Sequence, residues 1–402
     1  MNEDNNKPND VEETELNISS DGTGVIEEGQ VTRKKIEEEA YEVASQWKLM
    51  WWKFRKHRLA TIAGPILVAM YLVAIFCEFL APVEPLRRHS NYLHAAPSNI
   101  RFVGLDGSFS FRPFIYHMEM GRDPVTFRRT YVENPNRRYY LSLFPVSERY
   151  YMWGIIPLQR SLFGIVGNDY REVNLFLLGT DSLGRCLFSR ILYGGRISLS
   201  FGFVSIIFTF TIGLTLGGLA GYFGGVLDNV IMRIIEVLQC VPGIPLWMAL
   251  AAALPRDWGP LQIYLGMVVI MSLIGWTGLA RAVRGNLLSI REEDFIMAAR
   301  LSGTSSWRIV RKHMIPSFMS FIIVSMTLSI PGSILGETAL SFLGLGLQPP
   351  VISWGTLLIE SQQLTSLAHH PWLLLPAIPV IITVLMFNFL GDGLRDAADP
   401  YK

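Results

Sequence analysis

The chain has 402 residues, half of them hydrophobic, with a formal net charge of +1 and a mean hydropathy of +0.31. This composition is typical of a polytopic membrane protein with soluble parts, and it excludes an ordinary globular enzyme and a nucleic-acid-binding protein. The three cysteines, Cys77, Cys186 and Cys240, lie far apart without paired or metal-ligand spacing, so neither a disulfide framework nor a metal site is predicted.

The N-terminal segment divides into two parts. Residues 1–30 carry nine acidic residues and one lysine, which predicts a disordered acidic tail because so few apolar groups are available for burial. Residues 31–58 show a helical pattern that ends in tryptophans mixed with lysines and arginines, which predicts an amphipathic helix at the cytoplasmic membrane interface. The first apolar run begins near Leu59, too late for a cleaved signal peptide, so we expect it to remain as a membrane span.

Six apolar segments follow the N-terminal part. Each has about 20 residues, enough at ~1.5 Å per residue to cross a ~30 Å hydrocarbon core. The pattern predicts an all-α polytopic membrane protein with six transmembrane helices, the first at 59–80 and the others within a core of residues 198–391. The segments are 59–80, 198–222, 231–254, 262–284, 315–338 and 372–391.

The basic residues of the short loops predict the orientation. Residues 285–316 contain five lysines and arginines, whereas residues 339–371 contain none. The positive-inside bias therefore places the first loop in the cytoplasm and the second outside. Counting spans then places the N-terminus and the tail 392–402 in the cytoplasm, and residues 81–197 outside.

The long segment 81–197 is predicted to be a folded external insert, β-rich or α+β, between the first and second membrane helices. Residues 100–116 alternate apolar and polar side chains around Asp106-Gly107, which is a hairpin signal. Residues 138–143 and 150–156 add two further stretches rich in aromatic and aliphatic side chains.

Four glycines recur at every fourth position and therefore line one face of the second membrane helix: Gly213, Gly217, Gly221 and Gly225. Small residues at this spacing let a neighbouring helix approach closely. Packing within the chain and an interface between subunits are both open interpretations, and the first is favoured.

Three sets of charged residues lie near the ends of the spans. Asp181 and Arg185 are spaced to pair before the second helix, with a solvated turn as the alternative. Arg233 and Glu236, at the start of the third helix, are spaced for an i,i+3 ion pair at the cytoplasmic border, with a proton relay as the less favoured alternative. Glu337 lies near the outer end of the fifth helix with no basic residue within ten positions. It therefore either bonds to another helix or faces a watery translocation pathway.

Residues 285–316 form a charged, amphipathic segment between two apolar runs, which indicates two short helices on which a partner docks. The spacing of Ala298-Ala299, Gly303 and Pro316 resembles the EAA loop of ABC-importer permeases, with Met297 in the place of the glutamate. The resemblance implies that this loop couples the chain to a cytoplasmic ATPase through Asp294, Ala298, Ala299, Gly303, Trp307 and Pro316.

Three further segments, 178–199, 340–358 and 387–400, resemble the second permease subunit of dipeptide and oligopeptide importers. The resemblance covers most of residues 45–80 and essentially all of 175–402. Two departures are Cys186, where the family usually has an aspartate, and the length of the insert.

The family resemblance also implies a set of partners and a location. The partners are a second, homologous permease subunit, two cytoplasmic ABC ATPase subunits, an extracytoplasmic peptide-binding protein and membrane lipid, with no nucleic acid and no cofactor. The location is the cytoplasmic (inner) membrane of a bacterium or archaeon. The implied cargo is di- or oligopeptides, with nickel chelates and glutathione as alternatives carried by related permeases.

Motifs for chemistry are missing from the sequence. No Gly-Lys dipeptide occurs, so no P-loop is present, and the pair His369-His370 is isolated. We therefore expect a transport subunit that is not an enzyme. Two alternatives remain open. One is an ion-coupled secondary transporter, although such carriers usually need several buried ionisable groups and Glu337 is the single candidate in the sequence. The other is a membrane-anchored interaction protein whose insert is the functional part.

Overall fold

The computed structural model describes residues 46–125, 127, 129–166, 175–255 and 257–398. The predicted tail 1–30, most of the predicted interfacial helix and residues 399–402 lie outside this part. The helices are α1 Gln46–Lys56, α2 Arg58–Ile75, α3 Cys77–Leu80, α4 Leu187–Phe223, α5 Gly225–Cys240, α6 Gly243–Ala252, α7 Pro260–Ile290, α8 Asp294–Leu301, α9 Ser306–Ile309, α10 Ile315–Ser317, α11 Met319–Phe342, α12 Trp354–Leu358, α13 Leu364–His369 and α14 Ala377–Ala398.

The described part of the chain is mostly helical and contains five helical stretches that are long and apolar enough to cross a membrane. They are α2, α4, α7, α11 and the stretch Pro371–Ala398, which joins a short 3-10 helix to α14. A sixth span is counted if α5 and α6, which are bent by 87° at their junction, act as one. The polytopic, mainly helical prediction is therefore confirmed.

Several predicted bounds differ from the structure. The second membrane helix, α4, begins at Leu187, inside the predicted insert 81–197, and α14 continues to Ala398 through most of the predicted tail 392–402. Hydropathy alone starts the second span too late because Arg190 and Arg196 lower the hydropathy of its first turns, although both arginines are paired with carboxylates. The third apolar segment, 231–254, is not one straight helix, because Val241 is extended and Pro242 has no N–H to continue α5.

The main core lies between α2, α4, α7, α11 and α14. Helix α4 packs along α7 and also contacts α2 and α11. Buried side chains from all of these helices form one cluster, including Leu67, Leu199, Ile206, Leu287, Ile334 and Phe387. The same cluster includes residues of α8 and α9, so the short helices between α7 and α11 are packed onto the membrane core.

Three of the four repeated glycines form the contact between α4 and α7. A Cβ atom on Gly217 would lie 2.5 Å from the carbonyl oxygen of Ala280, and one on Gly213 would lie 2.7 Å from a methyl carbon of Leu279. Gly221 meets Leu287 in the same way. Gly225 does not belong to this row: it follows the end of α4, has a positive φ of 61° and has open space beside it.

The insert contains two antiparallel sheets, which confirms its β-rich character. Strands β1 Arg101–Val103, β2 Phe109–Arg122, β3 Arg129–Leu143 and β6 Phe163–Ile165 form one sheet in the order β1-β2-β3-β6. Strands β4 Val146–Met152 and β5 Ile156–Arg160 form a separate hairpin. The predicted hairpin at Asp106-Gly107 joins β1 to β2, and a small core forms around Ile115, Leu141, Ile165 and Leu175.

An ion pair and a tryptophan connect the insert to the membrane helices. Both carboxylate oxygens of Glu78 in α3 lie 2.7 Å from guanidinium nitrogens of Arg196 in α4. Trp153, in the turn between β4 and β5, donates its indole N–H to the carbonyl oxygen of Ile75 at 2.9 Å. Burial raises the pKa of Glu78, but hydrogen bonds from Arg196 and from backbone amides lower it further, so the pKa lies below its ordinary value.

The two loop regions that flank α11 lie at opposite ends of α4. Near the first residues of α4, Ser182 donates to Glu360 at 2.9 Å, and the indole of Trp372 donates to the carbonyl oxygen of Thr180. Near its last residues, the guanidinium of Arg300 lies 5.3 Å from the ring centre of Tyr222. Since α4 is about 55 Å long at ~1.5 Å per residue, we call these two ends of the bundle the insert end and the loop end.

Candidate functional site

The predicted coupling loop, 285–316, contains the two expected short helices, although its first residues belong to α7. We call residues 291–318, from the end of α7 to the start of α11, the α8–α9 segment. Asp294 begins α8, and Gly303 follows α8 with a left-handed φ of 72°. A residue without a Cβ takes this conformation without strain, and it turns the chain from α8 into α9. Pro316 lies in the first turn of α10, where its missing N–H costs nothing.

One side of the α8–α9 segment is held in the membrane core. Ile296, Ile309 and Met314 are fully or almost fully buried there, and Ala299 packs against the same cluster. The ring contact between Arg300 and Tyr222 fixes α8 to the end of α4. The segment is therefore anchored to the membrane core on this side.

The other side of the α8–α9 segment exposes large apolar side chains among charged ones. Leu301 is 89% exposed and Trp307 is 62% exposed. Phe295, Met297, Asp294 and Ala298 are exposed on the same segment. Beside Trp307, an apolar groove is lined by side chains of α4, including Leu214, Leu219 and Phe223. Apolar side chains presented on a fixed support are typical of a docking surface.

Glu337 is fully buried and lies within hydrogen-bond distance of side chains from two helices. Its carboxylate accepts hydrogen bonds from Ser341 of α11 at 2.8 Å and from Ser198 of α4 at 3.3 Å. The Ser198 hydroxyl in turn accepts from the backbone N–H of Trp354 at 3.1 Å. No basic side chain pairs with Glu337 among the residues described. The arrangement joins α4, α11 and the first residue of α12.

A second polar cluster lies at the insert end. Asp181 forms an ion pair with Arg185 at 2.6 Å and another with Arg190, and all three side chains are buried. Glu360, from the loop between α11 and α14, lies 3.8 Å from Arg185. The pairing expected for Asp181 and Arg185 therefore occurs, and it also involves two residues that sequence spacing did not single out.

Two of the ion pairs at the helix ends were missed by sequence reasoning. Asp228 of α5 pairs with Arg284 of α7 at 2.6 Å, and Glu78 pairs with Arg196. Their partners lie 56 and 118 residues apart, so no local spacing indicates them. An available signal was the presence of charged residues within otherwise apolar helices, which need partners. The local pair Arg233–Glu236 forms at 2.7 Å.

Comparison with known families identifies two matching regions. Residues 213–401 match the family described as binding-protein-dependent transport system inner membrane component. Residues 45–97 match the N-terminal TM domain of oligopeptide transport permease C. The first region contains the α8–α9 segment and Glu337, and the second contains α2 and α3.

Curated relatives agree with the family matches. The chain is 43% identical over 223 residues to the dipeptide transport system permease protein DppC of Bacillus subtilis, covering 55% of this chain and 68% of that protein. It is 44% identical over 223 residues to the glutathione transport system permease protein GsiD of Pectobacterium atrosepticum, covering 56% and 72%. The oligopeptide transport system permease protein OppC of Bacillus subtilis is 38% identical over 223 residues, covering 55% and 70%. The chain thus belongs to the family of binding-protein-dependent transport system inner membrane components, as a permease of its dipeptide and oligopeptide branch.

Proposed function

We propose that this permease moves di- or oligopeptides into the cytoplasm as one half of a membrane pathway whose other half is a second, homologous permease. The substrate class rests on the names of the relatives, which transport dipeptides, oligopeptides and glutathione. Glutathione is itself a small peptide-like solute with free carboxylates, so the three share one chemistry. Two cytoplasmic ATPases and an extracytoplasmic binding protein complete the assembly.

The α8–α9 segment carries the proposal for coupling. Its apolar outer side, with Leu301 and Trp307 at its centre, fits a groove on an ATPase subunit, while Ile296 and Ile309 attach its inner side to the core. Closure of the ATPase pair on ATP then displaces the segment together with α4, α7 and α11. Because packed cores move as rigid bodies between discrete arrangements, this displacement opens the pathway alternately to each side.

Docking of a cytoplasmic ATPase on the α8–α9 segment also implies how the helix bundle is oriented in the membrane. The loop end carries Arg300, Arg308, Arg311 and Lys312, and it is placed in the cytoplasm by the positive-inside bias. The insert end then faces outward, where a binding protein arrives.

A negative charge introduced on the exposed side of the α8–α9 segment tests whether this side docks the ATPase. Leu301→Glu places a carboxylate on the proposed interface without touching the core, because Leu301 is almost fully exposed. The matched control is Leu364→Glu, an 81% exposed leucine in α13 at the insert end. We expect Leu301→Glu to weaken retention of the ATPase subunits at least about tenfold, as loss of an interface anchor does, with peptide uptake falling in parallel.

Each result of this comparison has a definite consequence. Normal membrane levels and normal retention of ATPases in Leu364→Glu establish that the effect is local. If Leu301→Glu retains the ATPases and transports as well as the unmodified chain, the α8–α9 segment is not the docking element.

A further inference from the structure

Helix α5 has three distinct faces, and one of them is polar and exposed. Ile231 and Ile235 are buried against neighbouring helices, and Val230 and Ile234 form an exposed apolar face. The third set is spaced by four, three and four residues and therefore shares one side of the helix. We call this set the polar face of α5; its members are Asn229, Arg233, Glu236 and Cys240.

The polar face is costly in contact with lipid. Arg233 and Glu236 pair with each other, yet their side chains remain 82% and 52% exposed. Charged side chains inside a membrane almost always face a water-filled cavity or the interior of a helix bundle. The exposed apolar face around Ile234 suits lipid or an apolar partner, so the two exposed faces of α5 meet different surroundings.

The end of α5 points to the same conclusion independently. Helix α5 is about 24 Å long at ~1.5 Å per residue, shorter than the ~30 Å hydrocarbon core. It is counted as a span only together with α6, and the break at Val241-Pro242 interrupts that span. An interrupted helix within a span is tolerated where the break is buried in protein or lines a water-filled cavity.

Helix α7, which packs against α5, carries a further exposed cation. Gln239 donates to Thr277 at 3.1 Å, and Arg284 pairs with Asp228, so these contacts hold α5 and α7 side by side. Arg281 lies between Thr277 and Arg284 along α7 and is exposed. It forms no ion pair within the described part of the chain. Arg233, Glu236 and Arg281 together give the exposed sides of α5 and α7 a net charge of +1.

We propose that the polar face of α5 and Arg281 line the water-filled route of the solute, and that the two arginines bind a carboxylate of the solute as it passes. Guanidinium groups match the geometry of carboxylates, and a free carboxylate is common to short peptides. The inference rests on the proposed transport function for the identity of the solute, but the wet surface itself stands on the geometry.

Cys240 supplies a native reporter, because it is exposed whereas Cys77 and Cys186 are buried. The assembled transporter in proteoliposomes is treated with an anionic and a cationic methanethiosulfonate, and modification of this chain is followed by mass spectrometry. Cys240→Ser gives the background. Ile234→Cys in the Cys240→Ser chain provides a matched thiol on the exposed apolar face of the same helix.

We expect Cys240 to react at least about tenfold faster than the cysteine at position 234, because charged reagents do not enter lipid. The ratio of the anionic to the cationic reaction rate should be higher at Cys240 than for a free thiol. Arg281→Gln should lower this ratio about two- to threefold, as expected for the loss of one charge in water. Equal, slow reaction at both positions would show that lipid or another helix covers the face, and would overturn the proposal. Fast reaction without a charge preference would refute the carboxylate contact.

ATP-driven uptake of a dipeptide by the same vesicles separates this inference from the proposed function. Uptake without modification of Cys240 contradicts the inference alone. Modification without uptake contradicts peptide transport and leaves the wet polar face supported.

Discussion

The carboxyl group of Glu337 is the most completely buried acidic group of the membrane helices in the described part of the chain, and hydroxyl groups surround it. Leaving such a group without partners is expensive in a low-dielectric interior. Its bonds to Ser198 and Ser341 connect α4 with α11.

We predict that Glu337→Ala reduces ATP-dependent uptake by about tenfold or more, because it leaves buried hydroxyl groups unpaired. Glu337→Gln keeps the shape and most of the hydrogen bonds and should retain a larger share of the activity. Uptake by vesicles with equal amounts of each variant is the measurement. Equal loss in both variants would instead show that the acid itself is needed, and no loss in either would remove the residue from the mechanism.

Glu78 provides a test that depends on pH. The folded-state pKa of Glu78 is below its ordinary value, so its ion pair with Arg196 stabilises the protein fully above about pH 4.3. The contribution is lost as the pH falls through the folded-state pKa. Glu78→Gln should therefore destabilise the purified protein by on the order of 2 kcal/mol at pH 7.

Thermal unfolding at several pH values measures this effect. Between pH 5.5 and pH 8 the difference between Glu78→Gln and the unmodified chain should stay constant, and it should shrink only once the pH falls below the ordinary glutamate pKa of about 4.3. A difference that varies across the neutral range would point to another titrating group.

Sequence reasoning identified Glu337 from its isolation among apolar residues, but not its partners. Ser198 lies 139 residues away, and a serine in an apolar helix gives no distinguishing signal. The same limit explains the pairing of Arg196 with Glu78. Local pairs such as Arg233–Glu236 were predictable because helix geometry fixes which residues are neighbours.

At the scale of elements, the contact between α4 and α7 depends on glycine. We predict that Gly217→Ala, whose added Cβ would collide with the backbone of Ala280, destabilises the protein by about 1–3 kcal/mol. Gly218→Ala is the matched control, since nothing lies within 4 Å of the position of its Cβ atom. The thermal midpoints of the two variants in detergent are compared. Equal midpoints would mean that α4 and α7 can move apart enough to accommodate the added Cβ atom, so that the close contact does not stabilise the fold.

The elements differ in how well sequence predicted them. Apolar runs of about 20 residues identified most spans, because burial in lipid requires them. The break between α5 and α6 was missed, although Pro242-Gly243 was an available signal, because hydropathy averages over both halves of the segment. The early start of α4 was missed because ion pairs compensate for its arginines, and only the fold shows these pairs.

At the scale of the whole molecule, the insert has its own core and also an exposed apolar tip. The β1–β2 hairpin exposes Phe109 and Phe111, whereas the other end of β2 lies near the loops of the insert end. The aromatic residues of β2 therefore divide into two groups: Phe114 and Tyr116 are buried in the insert, whereas Phe109 and Phe111 are exposed at the tip.

We predict that Phe109→Ser combined with Phe111→Ser weakens association with the binding protein and lowers uptake several-fold, as loss of aromatic anchors does. Basal ATPase activity of the assembled complex should persist. The control is Val125→Ser combined with Phe127→Ser, which removes equally exposed apolar groups at the opposite end of β2. Unchanged association in the first variant would restrict the insert to a structural role.

The central claim, that this permease works in an ATP-driven peptide importer, is tested most directly by uptake of a labelled dipeptide into proteoliposomes. The vesicles contain the chain with its co-purifying membrane and ATPase subunits, and the binding protein is added outside. The account predicts accumulation that requires ATP inside the vesicles and the loaded binding protein, and that is insensitive to dissipation of ion gradients. Accumulation that persists without ATP and disappears with the ion gradient would contradict it.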